Sequence, residues 1–118
     1  MKKTLKLLEQ EFVSSSGLTR QFAEFARTFK SEVTKELKAL GCQEIDIRRG
    51  HFYMSGFFKH GDQFWYLSIY DVRFFPEKRL LIRTAQGPRD FTGGCNQYIP
   101  IETGMFAKFL SQQSKPCE

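Results

Sequence analysis

Apolar residues recur along this chain at two different spacings, and the change falls at Gly41. Before it, Phe22, Ala26, Phe29, Val33, Leu37 and Leu40 are three or four residues apart, which puts them on one stripe of a helix. Ser16 or Thr19 can cap its start and Gly41 can stop it. A helix over 19–40 would run roughly 33 Å at ~1.5 Å per residue. Upstream, Leu5, Leu8 and Phe12 mark a short amphipathic piece, set off by Ser14-Ser15-Ser16-Gly17.

Beyond Gly41 the period is two. Ile45 and Ile47 alternate with Asp46 and Arg48, and a break at Arg49-Gly50 leads into 51–59. His60-Gly61-Asp62 turns the chain into 63–70, Pro76-Glu77-Lys78 ends the next piece, and 79–85 makes a fourth strand. Short glycine-containing connections predict antiparallel hairpins. Residues 86–100 read as a loop of fifteen residues, and 102–112, with Met105, Phe106, Phe109 and Leu110, as a last helix. The expected fold is one α+β domain over 1–118. A long N-terminal helix packs on a four-stranded antiparallel meander, and a short C-terminal helix follows.

Length supports one core and not two. No apolar run approaches the ~18 residues needed to span a bilayer, and Glu9 and Glu11 interrupt any leader-like stretch, so no membrane partner is expected and the location predicted is cytoplasmic. Cys42, Cys95 and Cys117 are odd in number and widely spaced, which predicts neither a disulfide framework nor a structural zinc site. Nothing implies a cofactor. The net charge of +5 divides as +3 over 1–41, +2 over 42–90 and zero beyond, a mild bias towards an anionic partner. On the long helix, Glu32 and Glu36 dilute Lys30, Lys35 and Lys38, so its charges read as an ordinary solvated face.

Thirteen phenylalanines change the picture, because most are crowded among arginines in or beside the predicted strands. In the third strand Trp65, Leu67 and Ile69 should face the long helix, while Phe64, Tyr66, Ser68 and Tyr70 point the other way. Tyr53, Phe57, Arg48 and Arg83 can join that second face. Such a surface can stack bases, each for about 1–3 kcal/mol. Three uses stay open: burial under the C-terminal helix and Phe74-Phe75, an RNA platform, or a protein interface, including a homodimer.

In the loop after the fourth strand, Arg83, Arg89 and the Gly93-Gly94 backbone could hold a phosphate or carboxylate. No P-loop or dinucleotide glycine pattern is present. Catalysis has thin support: a dyad of Cys95 with His51 or His60 has no spacing in its favour, and the same residues make a poor metal set. The enzymatic alternative is a metal-independent ribonuclease using His51, His60, Tyr70, Arg73 and Arg83. Asp71-Val72-Arg73 reads as a strand-end ion pair.

The stretch 50–58, with Asp71-Val72-Arg73, 80–85 and 90–94, resembles small accessory proteins carried by phages, plasmids and conjugative elements of Gram-positive bacteria. Some proteins of that setting are anti-CRISPR inhibitors that block an RNA-guided nuclease. The resemblance spans about residues 30–95 and carries no active-site motif, so it transfers no functional residue. What it implies is a mobile-element inhibitor of a host nuclease. A basic chain fits guide RNA or an acidic protein patch better than DNA mimicry. The combined expectation is a non-enzymatic binder of RNA or a ribonucleoprotein. Arg48, Arg49, Arg83 and Arg89 would contact phosphates or carboxylates, and Tyr53, Phe57, Tyr66 and Tyr70 would stack.

Overall fold

The computed structural model describes residues 1–9, 18–72, 79–88, 90 and 94–112. Helices α1 (Lys2–Leu8) and α2 (Leu18–Ala39) precede β1 (Gln43–Arg49), β2 (Met54–His60), β3 (Gln63–Ile69), β4 (Arg79–Ala85) and β5 (Gln97–Pro100), and α3 (Met105–Ser111) closes the described chain. The strands form one antiparallel sheet in sequence order. The fold is therefore α+β, as the two periods imply, with a fifth strand and a second N-terminal helix beyond expectation. β5 occupies the last four residues of the stretch read as a loop. Leu5 and Leu8 of the amphipathic piece at the start lie in a true helix, and Phe12 lies outside the described residues.

α2 ends as its sequence dictates. Gly41 adopts φ +78°, its N–H donates to the Lys38 carbonyl, and the Cys42 N–H donates to the Leu37 carbonyl, both at 3.0 Å. Those two bonds close the last turn and redirect the chain into β1. The expected apolar stripe is buried apart from the half-buried Leu40, and Phe25 joins it.

All the described helices lie on one side of the sheet. Ile47, Phe58, Trp65, Leu67 and Ile82 project into that layer and are buried. Phe58 meets Phe106 of α3 edge-on at 5.8 Å, and Trp65 meets Phe109 at 5.2 Å. The C-terminal helix thus packs on the helix side of the sheet and does not cover the second face, which corrects that part of the alternative. Phe74 and Phe75 lie outside the described residues.

α1 is fastened to α2 by one carboxylate. Glu32 accepts from the Thr4 N–H (2.7 Å), the Thr4 hydroxyl (2.6 Å) and the Lys3 N–H (3.3 Å), taking up the first free amides of α1. Burial alone would raise the Glu32 carboxyl. These hydrogen bonds, with the Met1 ammonium 3.5 Å away, outweigh burial and hold it below its ordinary 4.5. Glu36 turns the same way, 3.6 Å from that ammonium.

Candidate nucleic-acid interface

Antiparallel register sorts the strand residues into rows across the face opposite the helices. One row runs Arg48, Ser55, Ser68, Leu81, Tyr98; the next runs Asp46, Phe57, Tyr66, Arg83. A third pairs Lys59 with Phe64 and Ala85. The face expected to gather Arg48, Phe57, Tyr66 and Arg83 therefore does so.

The centre is a stack of three side chains. The Arg83 guanidinium lies 4.5 Å from the Tyr66 ring centre, and Phe57 flanks Tyr66 at 5.1 Å. Arg83 Nη1 also donates to Asn96 Oδ1 at 3.2 Å, which orients the guanidinium plane. Phe57 is buried, so it supports Tyr66 from below and offers no ring to a ligand. Two further cation–ring pairs flank this stack: Arg79 over Tyr98 at 4.7 Å and Lys59 over Phe64 at 5.4 Å. Each such contact contributes about 0.5–1 kcal/mol where exposed.

Tyr53 and Tyr70 sit one residue past the Met54–Ile69 pair, at one end of β2 and β3. Tyr70 is 68% exposed, Tyr98 53% and Tyr53 44%, and these are the exposed large hydrophobics among the described residues. The Tyr53 ring lies across Gly50, whose Cβ, were there one, would stand 2.1 Å from the ring. Glycine at 50 is thus what lets the ring settle there.

Arg48 stands at the β1 end of the face. Its Nε donates to both Asp46 carboxylate oxygens at 3.1 Å, and this partner raises its already high pKa. Arg49 does not join the face: one residue along β1, it points to the helix side and covers Phe22 at 5.2 Å. Arg89 lies outside the described residues, as do Arg73 and Gly93. Gly94, at φ +72°, packs so tightly on β4 that a Cβ would meet Thr84 Oγ1 at 2.5 Å.

His51 precedes β2 and His60 ends it, so seven residues of strand at ~3.3 Å each hold them roughly 20 Å apart. Cys95 is disulfide-bonded, so it offers no free thiol to a dyad with His51 or His60, and a bridge forms where the spacing predicted no disulfide framework. Chain spacing carried no sign of that bond. Cys42 is a free thiol in the core, its pKa raised by burial. No cluster of three metal-ligating side chains occurs among the described residues. No helix among them is long and apolar enough to cross a membrane.

Sequence reasoning overlooked Tyr98 and Arg79 as partners, since β5 was taken for loop. It also misread α2. Glu32 and Glu36 turn towards α1, so on the other side of the helix the exposed Arg27, Lys30, Lys35 and Lys38 are accompanied by Glu24 and not by those two. No protein-family model matches the chain, and no curated protein or solved structure matches it significantly.

Proposed function

We propose that the sheet face opposite the helices binds RNA, free or within a ribonucleoprotein, through its unpaired bases and without catalysing a reaction. The observation that carries this reading is that Tyr53, Tyr70 and Tyr98 all emerge on the face that also holds the three cation–ring pairs. Aromatic rings and guanidinium planes are the groups on which unstacked bases settle. Phosphates between them meet Arg48, Arg79 and Arg83.

The test is a titration of labelled single-stranded RNA, followed by anisotropy at several salt concentrations, with the recovered RNA inspected for cuts. Intact RNA and an affinity weakened by both Tyr66→Ala and Arg83→Ala, in variants that still fold, support the reading. Parent-like binding by both variants removes the site, and cut RNA restores the ribonuclease.

An RNA-guided nuclease as the target rests on the sequence resemblance alone, and the same titration with a guide–nuclease complex tests it. The rival use of the face is a homodimer, since tyrosine and arginine also favour protein interfaces. Sedimentation without RNA separates the two. A cytoplasmic setting suits an RNA target, whereas the Cys95 bond suits oxidising surroundings. Alkylation of denatured protein taken directly from the cytoplasm labels all three cysteines only if that bond is absent there.

A further inference from the structure

A second group of cations lies away from the sheet face. Arg27, Lys30, Lys35 and Lys38 follow one side of α2 at about one cation per ~5.4 Å turn and span roughly 16 Å. None of the four makes an ion pair or hydrogen bond among the described residues. Between this side and β1 lie two open grooves of ≈ 550 and 490 Å³ that share Lys30 and Ile47, and a third of ≈ 500 Å³ follows α2 itself beside them; together they make up a trough. Arg48 and Arg49 line its β1 wall. Six cations thus face two carboxylates, Glu44 and Asp46, and Asp46 is already held by Arg48 at 3.0 Å. That surplus of four compares with +5 for the whole chain. Among the described residues no aromatic side chain lines the trough, so it suits a ligand whose charge is exposed and whose bases are hidden.

We propose that the trough seats the phosphate backbone of a paired RNA stem, contiguous with the unpaired segment on the sheet face. The proposal rests on the function proposed above and names its target more closely, as a stem with a single-stranded extension. Paired RNA presents chiefly phosphates and 2′-hydroxyls, and the cations meet the former. Arg48 lines the trough and also opens a row of the sheet face, so the strand leaving the stem passes over it at the edge of β1. Stem and extension bind on two sides of one strand.

The experiment titrates the full chain with a hairpin bearing a single-stranded extension, the blunt hairpin, and the isolated extension, each over a range of salt. The variant replaces Arg27, Lys30, Lys35 and Lys38 by glutamine, a good helix former at exposed positions. It is expected to lower the slope of log affinity against log salt by about 3 to 4 for both hairpins and to leave the isolated extension unchanged. Lys35→Gln with Lys38→Gln should remove about half of that, and this pair decides the matter if the fourfold variant misfolds. A parent-like slope on the hairpins overturns the trough, as does equally salt-sensitive binding of poly-glutamate, which would make the partner an acidic protein. Tyr66→Ala should do the reverse, weakening the extension and sparing the blunt hairpin. If it fails there while the glutamine variant behaves as expected, the sheet face falls and the trough stands.

Discussion

The two faces of this sheet are built from the same five strands and share almost no chemistry. Facing the helices, Ile47, Phe58, Trp65, Leu67 and Ile82 are buried in a continuous apolar layer. A single residue along each strand, the other face shows Arg48, Tyr66, Arg83 and Tyr98. Strand alternation thus separates what holds the domain together from what can meet a ligand, and a substitution on one side should leave the other nearly untouched.

Phe58→Ala breaks the comparison from its stable side. It removes a fully buried ring from its edge contact with Phe106 and should cost about 3–5 kcal/mol in urea unfolding. Tyr66→Ala, on a neighbouring strand with the opposite facing, should change stability far less and weaken single-stranded RNA binding by about 1–3 kcal/mol. Equal unfolding of the two variants would collapse the distinction.

Smaller effects sharpen it. Glu32 serves α1 as an N-cap would, so Glu32→Ala should cost about 0.5–2 kcal/mol while RNA affinity holds. Its folded pKa lies below the ordinary 4.5, so its contribution is complete above that value and is lost as pH falls through the folded one. Acid unfolding of Glu32→Ala should lack that component. Smallest of all, Asp46→Asn releases Arg48 from an exposed, solvent-screened ion pair. Stability should barely move, and the salt slope of RNA binding should steepen by no more than ~1.

Much of this was legible because two periodicities dominate the chain. The α2 stripe and the alternation of Trp65, Leu67 and Ile69 each follow from the need to bury one side. What escaped was set by contacts between distant segments. β5 has four residues and stands among turn-forming ones, so only its pairing with β4 makes it a strand. The rotation of Arg49 away from Arg48 was available from the alternation, yet both were assigned to one site. Glu32 and Glu36 looked like diluting charges because nothing local shows that α1 folds back onto them. Cys95 carried no spacing signal at all.

The ends of the sheet bear on how the protein behaves at high concentration. β5 is only four residues long and finishes at Pro100, which has no N–H to donate. β1 is longer, yet its register shifts between Gln43 and Asp46, Glu44 takes φ +51°, and the strand ends in two arginines. A foreign strand seeking to extend the sheet meets a short border on one side and a kinked, charged one on the other. The domain can therefore expose an aromatic face and still resist edge-to-edge fibre growth, and concentrated samples should remain clear and free of thioflavin signal.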